Sequence, residues 1–394
     1  MDCTKAFDTV QHSLLFRKML KTGCPLVLIR ILINIYRKQT VDVRWKTLYS
    51  EEFTMKNGVR QGAVLSPLLF CFYLNDLFDI LKKNKAGCWI GDCFVGCHGY
   101  ADDLLLLAPS RDALQDMLSL SEKYASEQNI SFSTDPNPEK SKTKGMVFTP
   151  NEKKIEPEKL ILNGDPLPWV THAKYLGNLI ENVINGLKND IKVKRAKFVE
   201  KNCELNQEFL YAHPEIKSKL NHIYNSSFPG SILWDITSKN LQTLFNSWSV
   251  AVRHMWDVPY NTHRYLLIEP LSGLHAKTMV YTRFISFTKS IQKCTKYPVK
   301  YMYELIKSDT RTITGKNIRQ ILIETDHENI LDVNINKLKR NMKFRKIPKE
   351  ELWRINLIKE LTDVKRNSLC VDFDDEQCLT TDDINDLVYF VSTS

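Results

Sequence analysis

Apolar positions recur at helical spacing through Ser13–Thr22, and the run stops at Gly23 with Pro25 just beyond, which predicts a first helix over 13–22. Asp8 stands where a residue capping that helix would stand. A second helical pattern covers 26–37, and alternation in Val41–Trp45 and Glu52–Met55 predicts the strands of a hairpin. A long helix over about 64–83 follows Arg60-Gln61-Gly62. Cys88–Ile90, Cys93–Val95 and Leu104–Ala108 read as strands, with Tyr100–Asp103 in the turn before the last of them. Residues 111–128 read as a helix, and 146–148 and 175–177 as short strands. Helices separating strands that pair out of sequence order predict an α+β sheet domain over 1–182.

The pattern then changes. Long helical periods at 185–211, 214–226, 239–256 and 274–293, carrying Trp234, Trp248 and Trp256, predict a mainly helical domain over 183–310. His263 and these tryptophans read as core. Residues 311–394 are polar and basic, then acidic, and predict a loosely attached helical tail.

A chain of 394 residues, 43% hydrophobic and 26% charged, is long enough for two or three domains with cores of their own. Its most apolar run, Val64–Phe78, is interrupted by Ser66, Pro67, Asn75 and Asp76, so no membrane span is expected. No targeting signal is recognised at Met1-Asp2, and the expected setting is intracellular, nuclear or cytoplasmic. The ten cysteines form no disulfide framework. Cys88, Cys93, Cys97 and His98 lack the paired spacing of a zinc knuckle and read as buried strand residues. The net charge of +9 conceals an asymmetry, because 371–394 holds seven acids and no Lys or Arg. The basic remainder suits a polyanionic partner.

Three paired aspartates occur. Asp374-Asp375 and Asp382-Asp383 lie in polar surroundings that solvate them, whereas Asp102-Asp103 runs straight into Leu104–Ala108. Adjacent carboxylates at the end of a buried strand repel each other and lose hydration, and bound Mg2+ relieves both costs. Two-metal phosphoryl transfer needs one more carboxylate on a neighbouring strand. Asp2 and Asp8 are both candidates, and spacing does not rank them.

Taken in order, Asp2-Cys-Thr-Lys-Ala-Phe-Asp8, Arg60-Gln-Gly-Ala-Val-Leu-Ser-Pro67 and Tyr100-Ala-Asp-Asp103 resemble the motifs of reverse transcriptases, and their flanks resemble those of non-LTR (LINE-type) retrotransposons. Asn163–Pro166, Lys174–Gly177 and Tyr260–Arg264 are similar to later segments of the same elements, so the likeness runs over roughly 2–290. It implies a palm, an antiparallel sheet with packed helices, followed by a thumb-like helical domain and the tail. It also implies RNA-directed DNA synthesis from dNTP onto a DNA primer along an RNA template, with two Mg2+ ions (or Mn2+).

Under the resemblance Asp2 and Asp102 are the catalytic metal ligands and Asp103 supports them. Phe7 excludes a ribose 2′-hydroxyl, while Arg60, Gln61, Gly62 and Ala101 border the incoming nucleotide. Lys140, chosen ahead of Lys142 in Asn137–Lys142, sits near the departing pyrophosphate. Tyr175, Leu176 and Gly177 position the primer end, Tyr100 contacts nucleic acid, and Lys188, Lys192 and Arg195 track phosphates along a helix that also carries Lys194, Lys197 and Lys201.

The family normally places a strand, basic finger segments and often an endonuclease ahead of the first aspartate. This reading therefore expects a truncated chain in which Asp2 frays and polymerisation is weak or absent. The alternative from a different class is a catalytically dead remnant that only binds nucleic acid.

Overall fold

In a computed structural model, residues 1–135, 137, 140–149, 157–183, 187–225, 228–262, 267 and 276–334 are described. The chain divides into two compact units, one ending at Ala173 and one beginning at Lys174.

The first unit mixes helices with small antiparallel sheets. Its order is α1 (His12–Lys21), α2 (Leu26–Arg37), β1 (Thr40–Val41), β2 (Arg44–Trp45), β3 (Leu48–Tyr49), β4 (Phe53–Thr54) and α3 (Ser66–Lys83). Then come β5 (Trp89–Ile90), β6 (Cys93–Phe94), β7 (Cys97–Tyr100), β8 (Asp103–Leu106), α4 (Arg111–Glu127), β9 (Leu160–Leu162) and β10 (Asp165–Leu167). Strand β1 pairs with β4 outside the β2–β3 turn, which is the hairpin expected from 41–45 and 52–55 with one more strand pair inside it. Strands β7 and β8 pair with Tyr100 opposite Asp103 and Cys97 opposite Leu106. Leu15, Met19, Phe70, Tyr73, Leu77, Leu104 and Met117 bury a shared core between these helices and strands.

Three local expectations need correction. Helix α1 is preceded by Gln11 with no side-chain cap, so Asp8 does not cap it; the turn over 5–9 intervenes. Residues 146–148 form no strand, because backbone pairing there is confined to Gly145, which bonds with Pro168 and Val170. Tyr175 ends β11 (His172–Tyr175), and Leu176 and Gly177 are the turn into β12 (Asn178–Glu181) rather than strand.

The second unit continues with α5 (Lys188–Glu208), α6 (Pro214–Asn225), a 3-10 turn (Ser231–Leu233), α7 (Lys239–Trp256), α8 (Ala276–Lys293), α9 (Tyr297–Lys307) and α10 (Ile313–Thr325). Trp234, Trp248, Trp256, Tyr281 and Phe284 are buried at its centre, as expected for core residues. The first part of the expected loose tail is not loose. Ile321, Ile330 and Val333 join this core, and buried Asn317 accepts from the Ile236 amide (3.0 Å) and donates to the Trp234 carbonyl (2.7 Å). The apolar residues of 313–333 supply the burial that a purely polar tail would lack. His263 and residues 335–394, including the acidic C-terminus, lie outside the described residues.

Lys18 fastens three helices of the first unit. Its buried ammonium donates to the Tyr73 carbonyl (2.6 Å) and to the Tyr124 hydroxyl (2.7 Å), and it pairs with Asp76 at 3.2 Å. Burial pulls its pKa down and Asp76 opposes that shift. Because Asp76 is itself half exposed, losing its partner costs little; the Tyr73 carbonyl keeps the Tyr124 hydroxyl as a donor (2.7 Å), so the loss falls on the Tyr124 oxygen and on packing. Lys18→Ala is expected to lower unfolding free energy by about 1–3 kcal/mol in urea titration.

Apolar side chains also face outward. On α2, Ile29, Leu32 and Tyr36 are buried while Leu26, Val27, Ile31 and Ile35 are exposed, and the hairpin beyond exposes Trp45, Leu48 and Tyr49. Among the described residues no helix is long and apolar enough to cross a membrane.

Candidate functional site

The stretch Met1–Val10 gathers all three sequence motifs. Its first residues are built into the sheet: the Met1 nitrogen donates to the Leu104 carbonyl (2.6 Å), and the Leu104 amide donates to the Met1 carbonyl (3.0 Å). On the other side the Ser133 amide donates to the Asp2 carbonyl (2.8 Å) and the Thr4 amide to the Ser131 carbonyl (2.7 Å). Asp2 pairs antiparallel with Asp103, and Cys3 with Phe132. The expectation that Asp2 frays is therefore wrong in its physical premise: partners remote in sequence hold its backbone on both sides.

Directly opposed residues on neighbouring strands project to the same face. Asp103 has Asp2 on one side and Tyr100 on the other, so the three share a face at one end of β7–β8. Ala101 and Asp102 form the two-residue turn, Ala101 with φ +52, a conformation uncommon for a residue bearing a Cβ. Burial pushes the Asp103 carboxyl above the usual carboxylate range, and the charge of Asp102, then that of Asp2, adds to the push. These carboxylates thus destabilise one another. Burial pushes the Cys3 and Cys97 thiols up to about 12, which disfavours the thiolate form.

The donor set is oxygen only, which suits a hard divalent cation such as Mg2+. Among the described residues no group of three or more His, Cys, Asp or Glu side chains is gathered closely enough to enclose a metal. Asp2, Asp102 and Asp103 are thus neighbours at the end of one hairpin without forming a three-carboxylate cluster.

Phe7 stacks on buried Phe70 of α3, ring centroids 5.4 Å apart, which fixes its ring at the edge of the core. The Val59 amide donates to the Phe7 carbonyl (2.7 Å) and the Gly58 amide to the Val10 carbonyl (2.8 Å). This pairing lays the Arg60–Gly62 turn beside the first motif. Gln61 Nε2 donates to Asp8 Oδ1 at 3.2 Å, so Asp8 orients the glutamine and has no cap to serve. Gly62, at φ +83, has open space where a side chain would begin, so its glycine answers the backbone conformation rather than a close neighbour.

Lys140 is exposed in the turn after Asn137, whereas Lys142 Nζ lies 3.7 Å from Asp2 Oδ2. Buried Ser141 and Thr143 anchor either side of Lys142, the Thr143 hydroxyl accepting from the Asp2 amide at 3.3 Å. Of the two lysines, it is Lys142 and not the expected Lys140 that the structure brings beside Asp2. Sequence spacing could not separate them; the alternation of small buried hydroxyls around Lys142 was the available signal.

The second unit has a groove of about 310 Å³ bordered by the β11–β12 turn and α5. Leu176 (φ +47) and Gly177 (φ +77) both take left-handed backbone, the requirement of a tight two-residue hairpin turn, and the leucine is held exposed at its tip. Phe198 and Phe228 floor the groove, and Lys174, Lys194, Lys197 and Lys201 surround it. The Lys194 charge is already engaged by Asp190 at 3.1 Å, and Lys201 by Glu204. Among the described residues Lys174 and Lys197 remain as the cations that face it.

This redistributes the expected contacts. Lys188, Lys192 and Arg195 are exposed on the opposite side of α5, Arg195 donating to Ser247 Oγ at 2.7 Å. Tyr175 alternates with Lys174 along β11, and it is Lys174 that reaches the groove.

Residues 1–180 match the family described as Reverse transcriptase (RNA-dependent DNA polymerase). The chain is 31% identical over 183 residues to a Nasonia vitripennis retrovirus-related Pol polyprotein from type-1 retrotransposable element R2, covering 45% of this chain and 17% of that protein. It is 28% identical over 182 residues to the Drosophila melanogaster polyprotein from element R2DM, again 45% and 17%. To the probable RNA-directed DNA polymerase from the Drosophila melanogaster transposon X-element it is 29% identical over 208 residues, covering 50% of this chain and 21% of that one. The chain thus spans about a fifth or less of the length of these curated relatives.

Proposed function

We propose that residues 1–180, which match a reverse transcriptase family and resemble proteins of non-LTR retrotransposons, carry the nucleotidyl-transfer centre of an RNA-directed DNA polymerase. In this reading the first unit is the palm and the helices after the β11–β12 turn are the thumb. The observation that carries it is the pairing of Asp2 with Asp103 at the end of the hairpin that bears Asp102.

Asp2 and Asp102 would hold divalent metal, with Asp103 behind them. Bound there, the cation offsets the charge of the triphosphate and lowers the pKa of the primer 3′-hydroxyl. Phe7, immobilised on Phe70, stands where a ribose 2′-hydroxyl would collide with it. Gln61, oriented by Asp8, reaches the sugar from the neighbouring turn. Lys142 donates to the departing pyrophosphate, and Leu176 with Gly177 supports the primer end. Lys174 and Lys197 hold primer or template phosphates along the groove.

The binding-only reading rests on one observation, the ammonium of Lys142 beside Asp2. That lysine is 72% exposed, and exposed pairs are worth about 0–1 kcal/mol, so a divalent ion displaces it. The polymerase reading is weighed by extension of a DNA primer annealed to RNA, with dNTP and Mg2+. Incorporation supports it, and tight binding of the duplex with no incorporation returns the remnant reading.

A readout independent of activity follows from Asp103. Its folded-state pKa is raised, so the native state holds that proton more tightly than the unfolded chain does. Stability therefore falls as pH rises through the carboxylate range, and the ionised form is a penalty at neutral pH. Added MgCl2 is expected to raise Tm at pH 7, with the gain shrinking as the solution is acidified through that range. Asp103→Asn should raise Tm without metal and blunt the magnesium response. Thermal circular dichroism checks both, and a wild-type Tm indifferent to magnesium at pH 7 would refute the site.

A further inference from the structure

We propose that the outward face of α9 is a binding surface for single-stranded nucleic acid, in which unpaired bases stack on Tyr297 and Tyr301 and flanking phosphates meet Lys296 and Lys300. The surface lies outside residues 1–180 and does not rest on the polymerase reading.

Two independent observations point to that ligand. The first is charge. Residues 276–325 contain ten Lys and Arg but only three acids, and each acid is already in an ion pair: Glu304 with Lys307, Asp309 with Arg311, Glu324 with Lys277. Lys293, Lys296 and Lys300 are exposed and have no acidic partner among the described residues. Such an unbalanced surface attracts a polyanion and repels another basic protein.

The second is shape. Tyr297 and Tyr301 are one helical turn apart and lie nearly parallel, ring centroids 5.7 Å apart and planes 16° apart. Tyr297 is 65% exposed, although a large aromatic gains most by being buried. Tyr303 of the same helix is buried, so α9 is seated by its other side. The exposed ring of Tyr297, backed by the partly buried ring of Tyr301 and flanked by lysines, forms a stacking platform for a base, which works on unpaired strands because duplex bases have no free faces.

The test uses the full chain carrying Asp102→Ala, so that its outcome is separate from catalysis, with fluorescein-labelled oligouridine RNA and a blunt RNA duplex as probes. Tyr297→Ala should weaken oligouridine binding about fivefold or more, the lower bound for one lost stack. Tyr297→Phe should bind as the parent does, and the duplex should be held equally by all three proteins. Lys296→Ala with Lys300→Ala should flatten the dependence of log affinity on log salt by about 0.7 per lysine. Circular dichroism verifies folding, which an exposed tyrosine does not govern. The proposal is overturned if Tyr297→Ala binds oligouridine as well as the parent, if Tyr297→Phe loses as much as Tyr297→Ala, or if the duplex loses equally.

Discussion

Asp102→Asn is expected to lower nucleotide incorporation about 10³-fold, the equivalent of about 4 kcal/mol of transition-state stabilisation. The amide keeps the volume and the hydrogen-bonding capacity of the side chain but removes the charge that would hold a cation. Because Asp102 lies in the two-residue turn of β7–β8, the change leaves the ladder of backbone bonds intact, and Tm should not fall. Removing a negative neighbour also relieves Asp103, whose carboxyl is pushed up in part by Asp102. Asp8→Asn is the matched control. Among the described residues its carboxylate receives Gln61 alone, so the loss should be tenfold or less. Steady-state primer extension distinguishes the two, and equal losses would place the cation elsewhere.

Asp190→Ala is expected to destabilise the second unit by about 3–5 kcal/mol. The carboxylate is 2% exposed and satisfies three groups at once: the Leu179 amide (2.9 Å), Trp234 Nε1 (2.8 Å) and the Lys194 ammonium (3.1 Å). Its removal strands a cation that also bonds Asn178 and the Pro229 carbonyl. Asp190→Asn keeps an acceptor for one amide and should cost less. Urea denaturation followed by tryptophan fluorescence reports the change, because Trp234 is at the centre of the affected core. A loss below 1 kcal/mol would show that the network adds nothing beyond packing.

Helix α7 was readable to its ends, 239–256, because a sustained apolar period runs between Ser238, whose side chain caps the helix, and Asp257 in left-handed conformation. The Tyr100–Asp103 turn was readable because the apolar strand Leu104–Leu106 begins straight after it, whereas β7, Cys-His-Gly-Tyr with three exposed residues, gave no apolar signal and was not foreseen. The seat of Asp2 was not, since its partners at 103, 131–133 and 143 are remote in sequence and act through backbone atoms that any side chain could carry. Nor was the working face of α5. Its lysines lie all round the helix, so periodicity could not tell those facing the groove from those facing solvent. The second motif was recognisable as a string, but its placement beside Phe7 and Asp8 depends on two amide bonds from Gly58 and Val59 that local pattern does not encode.

The outward leucines, valines and isoleucines of α2, with Trp45 and Leu48 beyond them, carry a colloidal consequence. Covering such surfaces releases ordered water, so self-association of the purified molecule is the expected result. Sulfate and phosphate buffers, which strengthen apolar association, work against monodispersity, whereas mild detergent or dilute solution favours it.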